Sequence, residues 1–214
     1  MNILYPDQGT ILLFGLKQKD QRLDHVGYLP EERGLYKKMK VYDVLKFHGE
    51  LKNGKNLRQE IDYWLKKLDL SAWRDKKVES LSKGMTQKLQ FIATVIDKPG
   101  IIILDEPFSG LDPVSVRLLK GVISEERRRG TTILFSTHVM AQAEELCDRV
   151  VMIHKGSKVL DEPMSSLRRR YELGAFERRW GENCFTAVAQ HKSHPLPAHY
   201  EQPLASATQW GERA

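Results

Sequence analysis

The sequence predicts an α/β fold, a mostly parallel sheet with crossover helices and an inserted helical subdomain. Two apolar runs, Gly100 to Asp105 (GIIILD) and Thr131 to Thr137 (TTILFST), have the length and composition of strands covered on both faces. Between them, Val114 to Arg129 carries Leu118, Leu119, Val122 and Ile123 on one side and stops at Gly130, as a crossover helix does. Upstream, the stretch from about Lys40 to Ile96 reads as helical. Within it Ile61, Trp64, Leu65 and Leu68 follow the i, i+3, i+4, i+7 spacing of one buried face. Strand and helix alternate after residue 100, the pattern of a parallel sheet.

The other elements follow in order. Tyr5 to Gly9 (YPDQG) reads as a turn and Thr10 to Gly15 (TILLFG) as a strand. Arg22 to Pro30 holds a short strand around Val26 to Leu29. Val139 to Cys147 reads as a further helix. Arg149 to Ile153 and Lys158 to Leu160 flank Lys155-Gly156-Ser157, a hairpin turn. Beyond about Tyr171 the character changes. Gln190 to Ala214 mixes three prolines, three histidines and small residues with no period of 2 or 3.6, and reads as a poorly ordered tail. His191, His194 and His199 have no Cys or acid at a metal-binding spacing.

Composition narrows the function classes. Of 214 residues, 41% are hydrophobic and 29% charged, and no apolar run approaches the roughly 20 residues of a membrane-spanning helix. Cys147 and Cys184 do not suggest a disulfide framework, so the chain reads as cytosolic. The formal charge of +6 permits a nucleic-acid or membrane partner. The basic residues are interspersed with acids, as in Glu125-Glu126-Arg127-Arg128-Arg129, which reads as a solvated face and not as a nucleic-acid footprint.

The chemistry concentrates at strand ends. Ile101-Ile102-Ile103-Leu104 runs into two acids, Asp105 and Glu106, then Pro107. Ligands of open α/β sheets bind at the carboxyl ends of strands. One acid there can hold the Mg²⁺ of a nucleotide, and its neighbour can orient or deprotonate water. The plain alternative is a strand end with a helix-capping acid. Ser109-Gly110-Leu111-Asp112-Pro113 follows, and the next buried strand ends in Ser136-Thr137-His138. If the strands are neighbours, these polar residues lie beside the two acids. Upstream, Leu81-Ser82-Lys83-Gly84-Met85 opens a helix. Ser82 can cap it, and the exposed N–H groups of the helix start favour a phosphate.

LSKGM, ILDEP, SGLDP and STH, in this order and spacing, resemble the ABC transporter ATPases over roughly residues 1 to 170. The resemblance implies an incomplete P-loop NTPase-like sheet. It makes Leu81 to Met85 the signature motif, with Ser82, Lys83, Gly84 and Met85 facing a nucleotide held by a second subunit. It makes Asp105 the Mg²⁺ carboxylate, Glu106 the catalytic glutamate, Asp112 part of the D-loop, His138 the switch histidine and Glu31 the Q-loop residue. The implied ligands are ATP and Mg²⁺. The implied partners are a second ABC ATPase domain, identical or not, and a separate transmembrane permease, which places the chain on the inner face of the cell membrane. GYLPEERGLY and LSKGM are most similar to bacterial exporters of sodium ions or drugs. Tyr36, Val41 and Tyr42 are candidates for the permease-facing surface, or else for core.

The chain departs from that pattern in several places. The phosphate loop GxxxxGK[ST] is not found. Its nearest match, Gly49-Glu50-Leu51-Lys52-Asn53-Gly54-Lys55-Asn56, has no hydroxyl at its end and follows a helical pattern instead of a strand. The expectation is a domain that begins just after that loop, spans residues 1 to 170 and is followed by an atypical tail over 171 to 214. Glu31 stands in place of glutamine, Lys83 in place of a glycine, and Met85 in place of glutamine. The competing reading is a non-hydrolytic subunit that offers only its signature face. A DNA-repair or chromosome ATPase needs a long coiled-coil insertion, for which the helical segment is too short.

Overall fold

The structure is a computed structural model that describes residues 6–17, 25–32, 34–52 and 56–170, and the backbone of 186–189. Its first element is a minimal hairpin, β1 (Leu12–Leu13) and β2 (Leu16–Lys17), in place of the single strand expected from TILLFG. Phe14 and Gly15 both take positive φ, 52° and 75°, the geometry of a two-residue type I′ turn. Phenylalanine is not a turn residue, so the sequence gives little warning. The Phe14 ring stays there by packing on Gly100, where a Cβ would lie 3.1 Å from it.

The main sheet contains β3 (Val26–Leu29), β4 (Ile101–Asp105), β5 (Thr132–Ser136), β6 (Arg149–His154), β7 (Ser157–Pro163) and β8 (Thr186–Ala189), in the spatial order β3-β4-β5-β8-β6-β7. β3, β4 and β5 are parallel; β8 is antiparallel to both β5 and β6, so β6 runs the same way as β5. Lys155 and Gly156, at φ 48° and 77°, close the β6–β7 hairpin as the sequence predicts. β8 falls in the tail, where no strand is expected. The rest of that tail and the Asn53 to Lys55 part of the phosphate-loop lookalike lie outside the described residues. The described part of the lookalike, Gly49 to Leu51, is the last turn of a helix.

The helical segment consists of α1 (Val41–Leu51), α2 (Leu57–Lys67) and α3 (Lys83–Val95), with short 3₁₀ turns between α2 and α3. Every residue from Gln87 to Val95 is buried, because α3 passes between the sheet and the α1–α2 pair. Val41, Val44, Leu45, Ile61, Trp64 and Leu65 fill the space on its outer side. Three polar side chains on this buried helix reach β3 and the loops that follow β3 and β4. Gln87 Nε2 donates to the Pro107 carbonyl at 3.3 Å, Gln90 Nε2 to Glu32 O at 3.3 Å, and Thr94 Oγ1 to Tyr28 O at 3.4 Å. A buried amide or hydroxyl needs a partner, and here the partners are β3 and two loops of the candidate site. Gly27 allows the close approach of β3 and α3: a Cβ there would lie 2.6 Å from the Thr94 carbonyl oxygen.

The core continues through α4 (Pro113–Arg128), α5 (Met140–Leu146) and α6 (Met164–Arg170). Leu119, Val122 and Ile123 of α4 are buried as expected, while Leu118 is half-buried. The Cys147 thiol is buried, unpaired and pushed up to about 12 by burial, so it stays a thiol. Among the described residues, no helix is long and apolar enough to cross a membrane.

Candidate functional site

The parallel register of β4 and β5 puts Asp105 directly opposite Ser136 at the carboxyl ends of both strands. The Ser136 hydroxyl donates to Asp105 Oδ1 at 2.5 Å and accepts from the Glu106 backbone N–H at 3.2 Å. One side chain thus fixes both acids. Glu106 turns the chain off the strand with φ 45°, a left-handed conformation that costs a non-glycine residue roughly 1–2 kcal/mol. The His138 backbone N–H donates to Glu106 Oε1 at 3.0 Å, and His138 Nδ1 lies 2.9 Å from the same oxygen. Glu106 is half-buried and the His138 ring is 64% exposed, so the pair has a wet side.

His138 is held by its neighbour. Thr137 is buried; its hydroxyl donates to Gln142 Oε1 at 2.7 Å and accepts from the Val139 N–H at 3.1 Å. The sequence marked the Ser-Thr-His run but not these individual roles. Ser136 becomes legible only once β4 and β5 are known to pair in register, and Gln142 carried no signal at all.

The helix-start residues pack against the loop that leads into α4. Ser82 caps α3 by accepting from the Met85 N–H at 3.2 Å, as expected from sequence. Lys83 is exposed, and its stem lies against Gly110, where a Cβ would stand 2.8 Å from Lys83 Cε. Gly110 takes φ 70°, so the turn and the lysine both favour glycine there. At Gly84 a Cβ would meet Leu111 at 3.5 Å, an ordinary contact, so the protein itself does not require a glycine at this position. Met85 is half-buried against the core.

Asp112 caps α4. It accepts from the Val114 and Ser115 N–H groups at 2.9 Å each and from the Ser115 hydroxyl at 2.6 Å, and these bonds hold its carboxyl below the usual carboxylate range. Glu31 is exposed in the loop after β3, the strand beside β4, and Gln90 anchors that loop through Glu32. Of the permease-facing candidates, Tyr36 is 55% exposed, Tyr42 is half-buried with the Arg74 guanidinium 3.9 Å over its ring, and Val41 is fully buried. Val41 is therefore core, fully buried in the first turn of α1.

Asp105 and Glu106 present hard oxygen donors of the kind Mg²⁺ prefers, fixed by hydrogen bonds at the edge of an open surface. Among the described residues no group of three or more His, Cys, Asp or Glu forms a metal cluster. A metal here would therefore share its shell with water and a ligand's own oxygens, which is how Mg²⁺ accompanies phosphates. The donors fit that ion.

A parallel sheet ending in two hydrogen-bonded acids, with a serine at the end of the adjacent strand and a histidine just beyond it, defines the α/β class of nucleotide-handling proteins. Residues 1–109 match the ABC transporter family, and the chain belongs to it. It is 55% identical over 136 residues to an uncharacterized ABC transporter ATP-binding protein of Methanocaldococcus jannaschii, covering 63% of this chain and 52% of that one. It is 29% identical over 174 residues to the bacitracin transport ATP-binding protein BcrA of Enterococcus faecalis, covering 79% of this chain and 56% of that one. The chain thus spans about half the length of these curated relatives. A solved ATP-binding subunit of an ABC transporter superposes with a TM-score of 0.73 at 27% identity, over 79% of this chain and 72% of that one.

Proposed function

We propose that the chain is the ATP-handling subunit of an ABC-type exporter, working through a separate permease on the inner face of the cell membrane. The observation that carries this is the fixed Asp105–Glu106–Ser136–His138 cluster at the end of the parallel sheet. A degenerate site that only offers its signature face has no need of all four groups in mutual contact. Export as the direction of transport is supported by the likeness of the GYLPEERGLY and LSKGM segments to bacterial exporters; the bacitracin-transport relative supports transport.

In this reading Asp105 holds Mg²⁺, which would neutralise charge building up on the transferred phosphoryl group. Glu106 Oε1 polarises the attacking water. His138 shares that oxygen, so its ring stands where it can meet the γ-phosphate. Ser82 and the N–H groups that open α3 face the ATP of the second subunit, and Lys83 adds a positive charge beside them. Asp112 orders the turn between the two halves of the site through its cap on α4.

The 214 residues contain no GxxxxGK[ST] sequence, whose backbone N–H groups wrap the phosphates. The chain by itself is therefore expected not to turn over ATP, while its signature face can complete a site whose phosphate loop lies on a partner. Phosphate release by the purified chain with Mg²⁺ and ATP tests this. Turnover at the level of the Glu106→Gln variant is expected. Turnover that Glu106→Gln abolishes would show that these residues hydrolyse ATP unaided.

A further inference from the structure

Two loop segments pair antiparallel and bring five exposed lysines together. Lys40 and Lys77 form an isolated antiparallel bridge. The pairing extends on both sides: Glu79 N–H donates to Lys37 O at 3.0 Å, Val78 N–H to Met39 O at 3.0 Å, and Val41 N–H to Lys76 O at 2.9 Å. These bonds bring Lys37, Lys38 and Lys40 of one segment beside Lys76 and Lys77 of the other, and all five are exposed. The inward residues of the same ladder, Val41 and Val78, are buried, so the segments are anchored and the lysines are presented from a fixed base.

The charges are poorly matched within the protein. Among the described residues, the one ion pair in the group is Lys77 with exposed Glu79 at 3.6 Å. Asp75 nearby is taken up by Arg74, as is Asp62. Asp43 stands in the first turn of α1 and lowers the local charge without pairing with any of the five. Like charges directly opposite on a ladder are destabilising, as at Lys40 and Lys77. An external anion relieves that repulsion.

We infer that this cluster docks on an anionic phospholipid surface. Lysine ammoniums are hydrated point charges on flexible stems, suited to a diffuse field of headgroups and not to forked recognition of one carboxylate. Exposed Tyr36 adjoins the cluster and is steadied edge-on by Phe47 at 5.6 Å between ring centroids. An aromatic with a polar tip beside basic residues suits the headgroup layer. The inference goes beyond the nucleotide chemistry and does not depend on it.

Flotation of the full chain with vesicles of phosphatidylcholine and phosphatidylglycerol, against phosphatidylcholine alone, tests the inference. Binding to the anionic vesicles only, weakening as salt rises, is expected. A lysine near an anionic surface contributes roughly fivefold to partitioning. Replacing Lys37, Lys38, Lys40, Lys76 and Lys77 by Gln should therefore weaken binding by at least about a hundredfold. Replacing Lys66, Arg117, Arg128, Lys155 and Arg169 by Gln removes the same charge elsewhere and should leave most of it. Should the five-lysine variant misfold, Lys38→Gln and Lys40→Gln singly should each lower partitioning by several-fold. No binding by the parent chain overturns the inference, as does equal loss in both charge-matched variants. Binding to soluble polyglutamate but not to anionic vesicles also overturns it, and assigns the cluster to an acidic protein segment. None of these results bears on ATP turnover, so this inference and the proposed function fail separately.

Discussion

Ser136→Ala removes one hydroxyl and is expected to loosen both acids of the site. The hydroxyl donates to Asp105 Oδ1 and accepts from the Glu106 N–H. A hydrogen bond to a charged group contributes about 1.5–3 kcal/mol net and a neutral one about 0.5–1.5. Ser136, Asp105 and Glu106 are all half-buried, so water replaces part of what is lost. A destabilisation of about 1–2 kcal/mol is expected, or roughly 2–8 °C in Tm for a domain of this size. The local effect should be sharper. Glu106 sits at φ 45°, held by Ser136 and by the His138 N–H. With the serine gone, its amide should exchange about tenfold faster or more, while the Leu104 and Phe135 amides within the sheet keep their protection. Ser136→Thr retains the hydroxyl and should behave like the parent. Urea unfolding and amide exchange by NMR measure both quantities. A Ser136→Ala protein with unchanged stability and an unchanged Glu106 amide would refute the clamp.

Gly27→Ala should cost about 1–3 kcal/mol in urea unfolding, because the new methyl meets a backbone carbonyl at 2.6 Å that cannot rotate away; a neutral outcome would mean that β3 and α3 are not in close contact. Glu126→Gln should flatten the pH dependence of stability. Burial raises the Glu126 carboxyl above its ordinary 4.5, despite Arg129 at 2.7 Å, and burial likewise raises Asp97 above 3.8, despite Lys52 at 3.2 Å. The folded state therefore holds these protons more tightly than the unfolded chain. The stability they contribute is complete below the ordinary values and is lost as pH rises through the folded-state values. Urea midpoints from about pH 4 to about pH 8 should fall less steeply in Glu126→Gln than in the parent; equal slopes would place the titration elsewhere.

The parts of the fold legible in the sequence were those with a strong local pattern. Ile101 to Leu104 is an apolar run too short for most helices, and the acids that follow it have few roles other than at a strand end. Gly156 takes positive φ without a steric cost, so that hairpin could be read from its glycine. The Phe14-Gly15 turn did not, because its cause is a tertiary contact between the Phe14 ring and Gly100. β8 was hidden for a similar reason: Thr186–Ala189 pairs on both sides only because β5 and β6 leave one strand's width between them. Within the site, residue types at strand ends could be read, but partnerships could not. Ser136 and Asp105 are 31 positions apart, and only the register of β4 on β5 shows that one holds the other. Val41 looked equally suited to a surface or a core, and only its burial in the folded chain decides it.

In the proposed function Glu106 activates water in an ABC site whose phosphate cradle these residues do not contain. That role is tested most directly by fusing a strand, a GxxxxGK[ST] loop and a short helix ahead of Met1 and measuring phosphate release with Mg²⁺ and ATP. Turnover in the fusion that Glu106→Gln reduces by about a hundredfold or more is expected. A folded fusion that stays at background, or one whose turnover ignores Glu106→Gln, would contradict that role.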